Sequence, residues 1–191
     1  MKYRDVSELL ATELTTEESP ATHQLMQDLR IVRRRGYLTK REFLQICRWK
    51  SPRAIRRCES NSHHRIRRQS ATALTSGSER TRFAALIELH GVGAPTASAI
   101  LTLTNPRRYG VLDIRVWQLL HELGSVTTKP GGVGFAFDDW HHYLVTLRDH
   151  ATRLGVSVRA VEYSLFLYHQ RVQRGQLYGG ALNRTRSQRT T

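Results

Sequence analysis

The chain has 191 residues, enough for one domain or two small lobes, and its 30 Lys+Arg against 16 Asp+Glu give a formal net charge of +14. Its 39% hydrophobic content suits a helical core better than a large parallel sheet covered on both faces. Two cysteines, Cys47 and Cys58, exclude a disulfide framework, a four-cysteine zinc site and a four-cysteine iron–sulfur cluster.

In chain order the pattern is helical nearly throughout. Leu25, Leu29 and Val32 recur at helical spacing before the break at Arg33-Arg34-Arg35-Gly36. Thr39 with Glu42 three residues later predicts a capping box opening a helix through Trp49. Ser51-Pro52 stops that helix and starts another, with proline in a first turn. Residues 56–68 are basic and contain His63-His64, and Ser76–Ser78 reads as a linker. A helix over about 79–89 is predicted to turn Phe83, Leu86, Ile87 and Leu89 to the core; Gly91-Val92-Gly93 ends it, and a helix over about 95–104 follows. Asn105–Gly110 is a predicted loop and Val111–Leu123 an apolar helix. A Gly-rich irregular stretch, 125–137, precedes helices over about 138–154 and 157–173. The last carries Val158, Val161, Leu165, Tyr168 and Val172 as a buried stripe. After residue 175 the chain loses periodicity, and a frayed basic tail over 176–191 is expected. The expected fold class is all-α: one helical domain over 1–175, with lobes at about 20–78 and 79–175 and a cleft between them.

The N-terminus lacks the apolar core of a secretory signal. The longest stretch without Lys, Arg, Asp or Glu, Leu89 to Pro106, is broken by glycine and proline, so it is no membrane span. These features predict a monomeric cytoplasmic protein with a polyanionic partner, nucleoid-associated if the source is bacterial. Of the basic residues 26 are Arg and only Lys2, Lys40, Lys50 and Lys129 are Lys. Arginine favours planar phosphate contacts, and few lysines leave few amines for Schiff-base chemistry.

The informative segment is Leu86-Ile-Glu-Leu-His-Gly-Val-Gly-Ala-Pro-Thr-Ala-Ser-Ala-Ile-Leu101. One helix ends at Gly91-Val92-Gly93 and another begins at once, so the amides of the turn, Ala94 and Thr96 form an anion site suited to a DNA phosphate. About twenty residues on stands Gly110-Val-Leu-Asp113-Ile-Arg-Val-Trp-Gln-Leu-Leu120. Asp113 lies at a loop–helix junction, where it serves as an N-cap, as a projecting carboxylate, or as both.

Hairpin and Val-Leu-Asp at this spacing resemble the helix-hairpin-helix DNA glycosylase superfamily, which includes endonuclease III and the adenine glycosylases; the match covers about residues 83–124. The resemblance implies double-stranded DNA as partner, base flipping, and Asp113 as the catalytic carboxylate supporting a cationic sugar as the N-glycosidic bond breaks. Superfamily members that also cleave the strand carry a Lys two residues after the second hairpin glycine. Pro95 stands there in this chain, so a monofunctional hydrolase without lyase activity is expected. The C-terminal iron–sulfur cluster of some members is absent. No cofactor is expected beyond a monovalent cation held by hairpin carbonyls, as resembling hairpins do. Lys50 and Lys129 remain the amines whose position the sequence leaves open.

Where the superfamily carries a probing helix end, this chain has Trp49-Lys50-Ser-Pro52. Trp49 is either core or a base-pocket or wedge residue, and Lys50 or Arg53 would hold a phosphate. Arg107 and Arg108 are expected on the strand flanking the lesion, and Arg115 on a phosphate or on Asp113. The adjacent His pairs, 63–64 and 141–142, point apart on a helix and do not make a zinc site. Gly131-Gly132-Val133-Gly134 lacks the surroundings of a nucleotide loop and is expected to be flexible, ordering on DNA. The rival reading is a non-catalytic DNA-binding module that keeps the hairpin and has lost the pocket.

Overall fold

The computed structural model describes residues 2–174 and residue 177. Among them the ordered elements are helices: α1 (Val6–Glu13), α2 (Pro20–Asp28), α3 (Arg30–Arg35), α4 (Lys40–Lys50), a 3-10 turn (Pro52–Ala54), α5 (Ile55–Glu59), α6 (His63–Thr75), α7 (Glu79–Ile87), α8 (Ala94–Thr104), α9 (Ile114–Glu122), α10 (Phe137–Leu154) and α11 (Val158–Val172). The protein is all-α. No described helix is long and apolar enough to cross a membrane. The basic tail expected over 176–191 lies outside the described residues, apart from Leu177.

Local chemistry sets most boundaries. The Thr39 hydroxyl accepts from the Glu42 amide and the Glu42 carboxylate accepts from the Thr39 amide at 2.8 Å, the expected capping box. Ser62, Ser78, Asp113 and Ser157 cap the helices that follow them. Gly36 and Gly155 end α3 and α10 in the left-handed conformation.

The central element is α8, which touches α2, α3, α4, α7 and α10 and is buried at every residue but Pro95. A helix enclosed all round cannot be amphipathic. Its small Ala94, Ala97 and Ala99 let neighbours approach, and its hydroxyls are satisfied inside the helix: Thr102 donates to the Ser98 carbonyl at 2.8 Å and Thr104 to the Ile100 carbonyl at 2.7 Å. Around α8, Phe43, Leu86, Trp117, Trp140, Tyr143 and Leu165 build one contiguous core.

Three expectations change. The helix expected from Val111 begins at Ile114, because Val111 and Leu112 are buried outside any helix and the extended Asp113 caps the first turn. Ile87 is 38% exposed, because it follows Leu86 on α7 and one residue rotates the side chain about 100° off the buried face. Val172, the last residue of α11, is 45% exposed, so the buried stripe ends at Tyr168.

Gly91 (φ +78) has no room for a side chain: an added Cβ would lie 2.8 Å from Cys58 Sγ and 2.9 Å from the Cys58 backbone nitrogen. At Gly124 (φ +71) the same atom would meet nothing within 4 Å. Gly124→Ala is therefore predicted to cost only the left-handed conformation, about 1 kcal/mol, and Gly91→Ala more than about 2 kcal/mol. Urea unfolding checks both, and equal losses would contradict the packing described for the α7–α8 turn.

Candidate active site

Asp113 is placed by a three-residue extended segment with little freedom. The Val111 amide donates to Glu162 Oε2 at 3.2 Å, and the Val111 carbonyl accepts from the Tyr143 hydroxyl at 2.7 Å. The Leu112 amide donates to Ser98 Oγ at 2.8 Å. Helices α11, α10 and α8 thus each fix one backbone group of the segment. Burial, with Glu162 and Asp113 nearby, pushes the Tyr143 hydroxyl well above its usual range, so it stays a donor. Glu162 is itself enclosed: burial raises its carboxyl, against the opposing pull of the Arg159 charge and hydrogen bond and of the Val111 amide. Arg159 bonds Glu162 and also donates to Glu18 at 2.7 and 3.2 Å, tying the segment before α2 into the same network.

The Asp113 carboxylate has two partners. Oδ1 accepts from the Arg115 amide at 3.0 Å as the N-cap of α9, and Oδ2 accepts from Lys50 Nζ at 2.6 Å. Burial pushes the Asp113 carboxyl up, but the Lys50 charge and hydrogen bond, the Arg115 amide and the Arg115 charge hold it below its ordinary value. The Lys50 and Asp113 side chains are 13% and 19% exposed, dry enough that removing one partner strands the other charge at a cost of about 3 kcal/mol.

This ion pair stands between two cavities. The larger, an open cleft of about 590 Å³, is walled by Lys50, Ser51 and Arg57 on one side, by Gly91, Gly93, Ala94, Pro95 and Thr96 at the α7–α8 turn, and by Asp113 and Gly132–Phe135. The smaller, about 290 Å³, carries Trp49, Tyr163 and Phe166 around the other face of the pair. It is near the lower limit of pockets that take small ligands, roughly 300–1,000 Å³.

The turn is held from beneath. Asn61, 1% exposed, donates to the Cys58 and His90 carbonyls and accepts from the His90 amide, each at 2.9 Å. Gly93 is extended and precedes the first turn of α8; the amides of Gly93 and Ala94 have no acceptor among the described residues. The Thr96 amide turns back to the Gly93 carbonyl at 3.0 Å, and the Thr96 side chain is buried. Among the described residues the turn amides without a protein acceptor are therefore those of Gly91, Gly93 and Ala94, and the Thr96 amide expected with them is taken up within the turn.

Other expected residues sit elsewhere. Val92 is buried in the core and does not wall the cleft. Arg107 and Arg108 follow the C-terminus of α8, whose eleven residues put them roughly 16 Å from the turn. There Arg107 lines a separate cavity with His23, Arg30 and Arg33, and Arg108 pairs with Glu79 at 3.3 Å. Arg115 stays at the site: its amide and its charge both hold Asp113 low, the second of its two expected roles, while its guanidinium donates to Gln173 at 2.7 Å. Arg53 is exposed beside the cleft, and Arg57, four residues on, is the arginine that lines it. Trp49 is half-buried, its indole donating to Thr22 Oγ1 at 3.1 Å, with one face on the smaller cavity. Lys129 is bonded to Asp139 and to the Gly134 carbonyl and lines neither cavity. The 131–134 loop packs on α9, where a Cβ at Gly132 would lie 2.9 Å from Ile114 Cγ1. Among the described residues no group of three or more His, Cys, Asp or Glu is placed to hold a metal ion.

Of the residues that build this site, the sequence reading missed Ser98, Glu162 and Arg159 as supports, the Lys50–Asp113 contact, and Tyr163 and Phe166 in the smaller cavity. Only the alternation of buried stripe and polar residue along α11 carried any trace of them. Comparison with known proteins adds no family: no protein-family model, curated protein or solved structure matches the chain.

Because the folded state lowers the Asp113 pKa, the stability it confers is complete above the ordinary value of 3.8 and is lost as pH falls through the depressed one. The difference in urea-unfolding free energy between the wild type and Asp113→Asn is predicted to be constant from pH 7 to about 5 and to shrink below pH 3.8. A difference that does not change with pH would contradict the ionised pair.

Proposed function

We propose that the protein is a DNA glycosylase of the helix-hairpin-helix type, cleaving the N-glycosidic bond of a damaged, mismatched or modified base flipped out of duplex DNA. In this reading α7, the Gly91–Gly93 turn and α8 are the hairpin, and the lobes over 20–78 and 79–175 face each other across the cleft. The observation that carries it is the sharing of one cleft by a depressed carboxylate, Asp113, and by Gly93 and Ala94, whose amides have no acceptor among the described residues. The amides bind a backbone phosphate, and the carboxylate stands where the adjoining sugar becomes cationic as the base departs.

The surrounding charge supports a DNA partner. The guanidinium groups of Arg53, Arg56, Arg57 and Arg68 have no ion pair or hydrogen bond among the described residues, in a chain of net charge +14. Arg65, by contrast, is occupied in holding the turn through the Glu88 carbonyl and His90. The smaller cavity, with its three aromatic side chains, is the place for the flipped base. Hydrolysis by water follows from Pro95 only if no other amine reaches the sugar.

The test is release of free base, read by mass spectrometry, from duplexes carrying a panel of damaged and modified bases. The expected result is release from at least one substrate and a loss of at least about a hundredfold in Asp113→Asn. Salt-sensitive duplex binding with no base released from any substrate would instead support the non-catalytic DNA-binding module.

A further inference from the structure

We infer that Lys50 is an amine nucleophile at this site, giving the protein an abasic-site lyase activity that forms a Schiff base through an amine on α4 rather than on the hairpin. The inference rests on the proposed site for a deoxyribose in the cleft, and on two independent observations.

The first is position. Lys50 is the last residue of α4 and lines both cavities, as Asp113 does, with its Nζ 2.6 Å from Asp113 Oδ2. A sugar whose C1′ stands beside Asp113 is therefore also beside Nζ. No other lysine is comparably placed: Lys2 is on α1's approach near Glu13, Lys40 donates to the Glu59 carbonyl at 2.8 Å, and Lys129 is held by Asp139.

The second is residue choice. Among the described residues four ion pairs have both side chains less than a fifth exposed; besides Lys50–Asp113 they are Arg82–Glu79, Arg159–Glu18 and Arg159–Glu162, which all use arginine. Arginine supplies the cation in those three pairs, and among the described residues lysine pairs otherwise only with Glu13 and Asp139, through side chains at least a third exposed, in a chain with 26 Arg against four Lys. Arginine cannot give up a proton to become a nucleophile, and lysine can. The one lysine in such a pair faces the carboxylate at the centre of the cleft.

The chemistry balances with water as the sole co-reactant. Asp113 takes a proton from Nζ, and the freed lone pair forms a bond to the C1′ aldehyde of an abasic sugar. The aldehyde oxygen leaves as water, taking up two protons, and leaves a protonated imine. Loss of a C2′ proton forms the C2′–C3′ double bond and breaks the C3′–O bond, so the 3′ phosphate departs. Water then hydrolyses the imine, returning the Lys50 amine and releasing the unsaturated aldehyde.

The experiment needs no knowledge of the target base. A duplex with a preformed abasic site is mixed with the full chain and sodium borohydride, which reduces the imine to a stable amine. Wild type is expected to give a covalent adduct whose peptide map places the DNA on Lys50. Lys50→Arg, which keeps the charge against Asp113, is expected to lose trapping and strand cleavage at least about a hundredfold while retaining the thermal midpoint of unfolding. Lys129→Gln is expected to trap as wild type does. An adduct mapped to another amine, or trapping undiminished in Lys50→Arg, overturns the inference, as does no adduct from a wild type that binds the duplex. Base release without trapping leaves the glycosylase reading intact and refutes the Lys50 amine. Trapping at Lys50 with no base released from any substrate does the reverse.

Discussion

Three residues of extended chain in a dry interior, Val111 to Asp113, constrain most of this structure. Buried backbone groups must find partners, and an extended segment among helices cannot find them in itself. Here each partner comes from a different helix: Ser98 of α8, Tyr143 of α10 and Glu162 of α11. Placing a carboxylate at Glu162 then demands Arg159, and Arg159 demands Glu18 as a second anion. One short segment in this way fixes α8, α10, α11 and the entry to α2 relative to one another.

That network ends in a carboxylate that is both rigid and exposed to a cleft. Asp113 caps α9, so its backbone cannot shift without fraying a helix, and its second oxygen reaches Lys50. The pairing keeps it ionised at neutral pH despite burial. The arrangement suits a group required as an anion when positive charge develops nearby, since its orientation is settled before any substrate arrives. The α7–α8 turn is fixed with equal care: Asn61 bonds it from below, and Gly91 packs on Cys58 with no space for a β-carbon. The two parts of the cleft therefore have a set separation.

What could be read from sequence was what short-range chemistry decides. The Thr39–Glu42 box, the proline after Ser51, the stop at Gly36 and the N-cap position of Asp113 depend on residues within four places of one another, so their signals are local. The enclosure of α8 was legible only in part, because small and hydroxylated residues signal close packing without naming the neighbour. The partner of Asp113 was not legible at all. Lys50 lies 63 residues away, and no pattern within either segment encodes that meeting. Arg107 and Arg108 lie close to Asp113 along the chain, but the length of α8 sets them beyond its opposite end from the turn. Arg115 shows a subtler limit, since an N-cap is satisfied by the backbone amide two residues on, leaving its side chain free to go elsewhere.

The role proposed for Asp113 is to stabilise positive charge on a sugar held in the cleft. The most direct measurement is the affinity for two duplexes that differ only at one nucleotide: one carrying a cationic pyrrolidine in place of deoxyribose, the other a neutral tetrahydrofuran. Binding by the wild type is predicted to favour the pyrrolidine at least about a hundredfold, as expected for a transition-state mimic, and Asp113→Asn is predicted to abolish most of that preference. Equal affinities, or a preference that survives in Asp113→Asn, would exclude that role for Asp113.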